Sequence, residues 1–188
     1  MNRSSIIIGV CGFKRCGKDT IADYLVSNYG FVKLKFATPL KAACKDLFGF
    51  TDDQLETDAK EELDPVWNIT PRHALQFMGT EIMQHKINEL LPDTGKLFWV
   101  KKMMHQINLM QESKVVISDL RFMHEYDHLK ATYGDRFKVL KIQSNRSLFE
   151  DAHVSEREWK QIPHNHVINN SNSLNDLYAE IDTIFNQS

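Results

Sequence analysis

Seven residues near the start constrain this chain more than any others. Gly12-Phe13-Lys14-Arg15-Cys16-Gly17-Lys18 fits the pattern G-x-x-x-x-G-K. A β-branched run at 5–10 leads into it, and a helical pattern at 18–28 follows, with Ile21, Ala22, Leu25 and Val26 at helical spacing. A glycine-bearing turn between a buried strand and a helix start can wrap backbone N–H groups around phosphate oxygens. The helix adds the positive end of its dipole. Lys14, Arg15, Cys16, Gly17, Lys18, Asp19 and Thr20 are therefore the candidate contacts to a mononucleotide triphosphate, with Lys18 reaching its β- and γ-phosphates. The hydroxyl that often follows the lysine and meets Mg²⁺ is displaced here. Asp19 stands in its place and Thr20 comes next, so Thr20 is the candidate metal-side hydroxyl.

The rest of the chain alternates strand and helix patterns. Strands are expected at 31–36, 114–118, 137–142 and 166–169. Helices are expected at 38–48, 98–110, 121–133 and from Ser173 to Phe185. A long helix is expected to start at Thr70 as N-cap and Pro71 as first helical residue, and to carry an apolar stripe from Leu75 to Leu90. The acidic stretch 51–64 reads as an exposed loop or short helix. Strands joined by helical crossovers imply a parallel sheet. The expected fold class is α/β in three layers, with a central parallel sheet, helices on both faces and the first strand near the middle.

Composition narrows the function classes. Lys and Arg total 23 against 25 Asp and Glu, a net charge of −2. That balance disfavours nucleic-acid binding. No apolar run approaches the roughly 20 residues of a membrane span, so no membrane partner is expected and the location reads as cytoplasmic. Cys11, Cys16 and Cys44 form no C-x-x-C pair and read as reduced, buried or loop thiols. His124 and His128, and His164 and His166, lack a third ligand at fitting spacing. Among Phe36, Trp67, Phe77 and Trp99, which could stack on a base, Phe77 is expected in the core.

Two further segments supply charge for phosphate chemistry. Arg72 falls in the first turn of a helix, where the dipole disfavours a cation unless an anion is bound. Gln76 lies one turn on. An apolar strand at 114–118 ends in Asp119, where an acid can reach Mg²⁺ or its water, and Arg121 opens the next helix. Asp119 is equally a candidate helix cap. The polar stretch 145–163, with Arg146 and Arg157, reads as a lid-like segment.

In this light the chain resembles the phage-type deoxynucleoside monophosphate kinases of the P-loop nucleoside monophosphate kinase group. The resemblance runs along nearly the whole chain. It rests on 12–20, Pro39-Leu40-Lys41, Pro71-Arg72, Leu75-Gln76, Gly79-Thr80-Glu81, Trp99-Val100-Lys101, Ser118-Asp119-x-Arg121, His124-Glu125 and Val167-Ile168-x-Asn170. Where the family often has an acidic residue before the last strand, this chain has His164-Asn165-His166.

The resemblance implies one P-loop kinase domain over 1–188, with an acceptor-binding helical insertion around 38–112. It implies ATP and Mg²⁺ as cofactors, a deoxynucleoside monophosphate as acceptor, and a homodimer. By position, Lys18, Asp119 and Arg121 are catalytic, Thr20 and Asp119 lie on the metal side, and Lys41, Arg72, Gln76, Arg121 and Glu125 face the acceptor. Two other readings fit the loop: a kinase of another phosphate ester such as phosphomevalonate, and a nucleotide-binding regulator without catalysis.

Overall fold

The computed structural model describes residues 6–110, 114–144 and 158–186. They form two compact units. One comprises Met1–Lys35 and Met103–Ser188, the other Phe36–Lys102. The second unit overlaps the expected insertion but ends ten residues earlier, at Lys102.

The first unit is built on five parallel strands: β1 (Ile7–Gly12), β2 (Phe31–Leu34), β3 (Lys114–Ile117), β4 (Phe137–Gln143) and β5 (His166–Asn169). Their order is β2-β3-β1-β4-β5, so β1 is central as expected. Ile8 pairs with Val116 on one side, and Val10 pairs with Leu140 on the other. Side chains alternate between faces along a strand. Ile8, Val10, Val116, Leu140 and Ile142 form one core with α1 (Lys18–Tyr29) and α7 (Leu174–Phe185), through Ile21, Leu25, Leu177 and Ile181. On α1 and α7, Tyr24 and Tyr178 stack at 4.0 Å, and the hydroxyls of Tyr24 and Tyr29 donate to Asp182. The opposite face carries Phe137, whose ring meets Tyr126 of α6 (Met123–Tyr133) at 5.9 Å. Helices therefore cover both faces of the sheet. The three cysteines are free and buried, and burial pushes the Cys11 thiol up to about 12.

The second unit holds α2 (Ala37–Phe48), α3 (Asp52–Glu56), a 3₁₀ turn Asp58–Glu61 and α4 (Pro71–Gln76). The helix α5 (Phe98–Leu109) begins in it and passes the boundary at Lys102. Its core gathers Cys44, Phe50, Leu55 and Ala74, with Leu40, Phe48, Ile69, Leu75 and Met78 packed around them. Thr70 caps α4 by accepting from the His73 N–H at 3.1 Å, as its sequence predicts.

The long helix expected beyond Pro71 is not regular. After Gln76 it widens into π-helical turns over Phe77–His85 and then tightens into a 3₁₀ turn, Lys86–Glu89. Two contacts account for the change. Trp99 Nε1 donates to the Gly79 carbonyl at 2.9 Å, competing for that acceptor with the helix's own N–H groups. Gly79 also packs so close to Leu40 that an added Cβ would sit 2.7 Å from Leu40 Cδ2. One consequence is that Phe77, expected in the core, is about half exposed at 48%. Helix α6 also starts two residues later than expected, leaving 118–122 as a turn. Among the described residues no helix is long and apolar enough to cross a membrane.

Trp99→Phe keeps the ring and removes the indole donor. It should lower stability by ~0.5–1.5 kcal/mol, the net worth of one hydrogen bond. Chemical denaturation measures this; a loss within error of zero would show that the indole does not hold the widened segment.

Candidate active site

In an open parallel sheet, ligands gather at the carboxyl ends of the strands. The phosphate loop leaves β1 there. Its backbone takes left-handed values at Arg15 (φ 60°) and Gly17 (φ 97°). Gly17 is required twice over: by that angle, and because a Cβ would lie 2.3 Å from Asn170 Nδ2. The Lys18 ammonium lies over the loop, donating to the Gly12 carbonyl at 2.9 Å and the Phe13 carbonyl at 2.6 Å. It sits 3.9 Å from Cys16 Sγ, and Cys16 is buried beneath the loop. Lys18 thus hangs above the backbone that would cradle a phosphate.

Asn170 clamps the loop from the far side of the sheet. Its side-chain amide donates to the Cys16 carbonyl at 3.0 Å, and its backbone N–H donates to Gln143 O at 2.8 Å. The resemblance includes Asn170, but nothing in the sequence gives it this role.

Asp19 and Thr20 occupy the first turn of α1. Asp19 Oδ1 accepts from Lys33 at 2.7 Å, Lys35 at 2.7 Å and the Ser118 hydroxyl at 3.1 Å. Burial works against its charge, but the hydrogen bonds from Lys33 and Lys35 win and hold its carboxyl at about 2. Asp19 is therefore committed to two lysines at the end of β2. Lys33 and Lys35 were not candidates at the sequence level, although residues two apart on a strand share a face.

At the end of β3, the Ser118 N–H donates to Leu34 O at 3.1 Å, and Asp119 is nearly buried at 9% exposure. Arg121 follows in the same turn. Glu125, expected to face the acceptor, lies beneath that turn instead. Its Oε2 accepts from the backbone N–H groups of Arg121 at 2.8 Å and Phe122 at 3.0 Å. Burial pushes the Glu125 carboxyl up to about 8. The two backbone donors pull it down, Asp119 adds to the rise and Arg121 opposes it. The first unit thus joins Lys18, Asp19, Thr20, Asp119, Arg121 and Glu125 along one sheet edge.

The other candidates belong to the second unit. Lys41 of α2 pairs with Glu56 at 2.5 Å, and Arg72 of α4 pairs with Glu61 at 2.5 Å. Arg72 and Gln76 are four apart on α4 and share a face. Asp64 shapes the approach to α4. It accepts from the Val66 and Trp67 N–H groups and from Gln54, whose hydrogen bond holds the Asp64 carboxyl below its ordinary range. Arg146, Arg157 and most of the lid-like segment 145–163 lie outside the described residues. The described part is a 3₁₀ turn, Glu158–Gln161, whose Glu158 accepts from the Met123 N–H at 3.4 Å.

The sequence profile of the family described as deoxynucleotide monophosphate kinase matches residues 6–65 and 44–181. The chain belongs to that family. A protein of Acanthamoeba polyphaga mimivirus, provisionally named a deoxynucleotide monophosphate kinase, is 34% identical over 184 residues, covering 94% of each chain. The deoxynucleotide monophosphate kinase of Enterobacteria phage T4 is 21% identical over 246 aligned positions, covering 93% of this chain and 96% of its own. Among solved structures, the dephospho-CoA kinase of Campylobacter jejuni superposes with a TM-score of 0.53. That match covers 97% of this chain and 96% of the other at 15% identity, and speaks for the fold alone.

The buried Glu125 of this kinase sets a pH dependence. Its carboxyl lies higher in the folded protein than in the unfolded chain, so the folded form holds the extra proton between about pH 4.5 and 8. Stability is lost as pH rises through that window. Glu125→Gln keeps an acceptor for both N–H groups and carries no charge at any pH. Its melting temperature should exceed wild type at pH 8 and above, with the gap closing toward pH 5. Parallel melting curves across that range would show that Glu125 does not titrate there.

Proposed function

We propose that this chain transfers the γ-phosphoryl group of ATP to the phosphate of a deoxynucleoside monophosphate, giving ADP and the deoxynucleoside diphosphate. The observation that carries this reading is the placement of the Lys18 loop beside the Asp119–Arg121 turn on one sheet edge of a family member. The family match favours a nucleotide acceptor over phosphomevalonate, and an enzyme over a regulator.

Phosphoryl transfer asks a protein for alignment and for charge at the transferring group. The 12–17 backbone binds and orients the triphosphate. Lys18 moves from the loop carbonyls to the β- and γ-phosphates. Arg121, held by its backbone N–H on Glu125, stabilises charge on the group in flight. Lys41, Arg72 and Gln76 hold the acceptor. Glu125 acts on the turn rather than on substrate. Asp19 keeps Lys33 and Lys35 at the site's margin.

The chemistry of the donors suits Mg²⁺. Thr20 offers a hydroxyl and Asp119 a carboxylate, both hard oxygen ligands, and this ion typically binds through one or two protein oxygens plus substrate phosphates. When bound, it would neutralise phosphate charge. The reading also takes the enzyme as cytoplasmic and as a homodimer.

The test is ADP release measured across all ribo- and deoxyribonucleoside monophosphates, with phosphomevalonate as control. Turnover with deoxynucleoside monophosphates is expected; turnover confined to phosphomevalonate, or none with any acceptor, would sink the reading. Lys18→Ala should reduce kcat by ~10²–10³ with the fold retained; a wild-type kcat would remove Lys18 from the mechanism. Arg72→Ala should raise the acceptor KM by ~10–150-fold, the worth of one charge-assisted contact, and leave the ATP KM near wild type. If the ATP KM rises instead, Arg72 serves the donor.

A further inference from the structure

The second unit contains a lysine that the reading so far leaves out. Lys60 lies in the 3₁₀ turn Asp58–Glu61 and is half-buried. Its neighbours Lys41 and Arg72 each hold a carboxylate, Glu56 and Glu61. Among the described residues, the Lys60 side chain makes no ion pair and no hydrogen bond. Its surroundings are unfavourable to its charge. Burial lowers its ammonium from the ordinary range, and the positive charges of Arg72 and Lys41 lower it further. Asp58 and Glu61 only partly offset this.

Three cations thus converge from three separate elements: Lys41 from α2, Lys60 from the 3₁₀ turn and Arg72 from α4. Folding has gathered like charges and left one of them unpaired, which costs stability. Nothing in the packing requires it, because the apolar core of this unit is made by Cys44, Phe50, Leu55 and Ala74. A group held at a cost to folding is a marker of function. An anion with several oxygens relieves the repulsion by taking one donor from each element. A phosphate monoester has that shape and carries about −1.5 to −2 at pH 7. Glu56 and Glu61 would then be exchangeable partners of Lys41 and Arg72, keeping those side chains extended.

We propose that Lys60 is the third cation of an anion subsite with Lys41 and Arg72, and that this subsite binds the phosphate of the acceptor nucleotide. The choice of acceptor rests on the function proposed above; the anion subsite itself does not.

The experiment uses the full chain as wild type, Lys60→Met and Lys60→Arg. Calorimetry without ATP measures binding of a deoxynucleoside monophosphate and, separately, of inorganic phosphate. Melting temperatures without ligand are taken alongside. Lys60→Met should weaken the monophosphate by ~10–150-fold, leave the ATP KM unchanged, and melt no lower than wild type. Lys60→Arg should recover most of the affinity. A merely structural lysine would give the opposite pattern, a lower melting temperature with unchanged affinity, and that result overturns the proposal. If wild type phosphorylates no deoxynucleoside monophosphate, the proposed function fails while the subsite is still judged by the phosphate arm. Phosphate held by wild type and lost in Lys60→Met supports it; equal binding by both overturns it.

Discussion

The chemistry of the first unit depends on the parallel pairing of β1 with β3. Ile7, Ile8 and Gly9 run beside Val115, Val116 and Ile117. With that register set, the chain leaves both strands at the same edge. One exit becomes the phosphate loop and the other becomes the turn with Asp119 and Arg121. A slip by one residue would reverse every side chain and break both faces of the core at once. The position of the catalytic groups is therefore fixed by apolar burial some distance away, and the groups need spend little of their own energy on it.

Polar contacts then refine what the sheet has placed. Ser118 links three strands' worth of chain: its N–H donates to Leu34 O and its hydroxyl to Asp19. Asn170 does the same from β5 by holding the Cys16 carbonyl. Glu125 braces the turn at 118–122 from below. None of the three needs to touch substrate to matter. Each removes a degree of freedom from a segment that otherwise would be exposed loop, which is how a site becomes preorganised.

Much of this was legible in the sequence, and the limit has a physical form. The five strands and the phosphate loop are local patterns: β-branched runs, a fixed glycine spacing, a helix start. Reading them needs no knowledge of distant residues. Arg72 was found because a cation in a first helical turn is locally anomalous. What escaped was set by long-range encounters. Asp19 looked like a metal-side acid until Lys33, Lys35 and Ser118 met it. Glu125 looked like a substrate contact, but its partners are backbone N–H groups that only a turn at 118–122 exposes. Lys60 sits among Asp58, Glu61 and Glu62 and looked balanced; the fold turned Glu61 toward Arg72 instead. The long helix failed for a related reason. Its apolar stripe was real, but the pattern could not show Trp99 taking the Gly79 carbonyl.

That widened segment, Phe77–His85, has a bearing on how such a chain can change over time. A regular α-helix turns about 100° per residue. Wider turns hold extra residues in the same length, so the segment stores slack between α4 and the chain that follows. Loss of one residue here would let the helix relax to ordinary geometry, yet everything beyond would rotate by roughly 100° about the axis. Leu90, Leu91 and the turn after them would then present new faces. Point substitutions along this stretch change one side chain each. A single deletion would re-aim a whole surface without touching the phosphate loop, and that makes Phe77–His85 the natural place for relatives to differ in length.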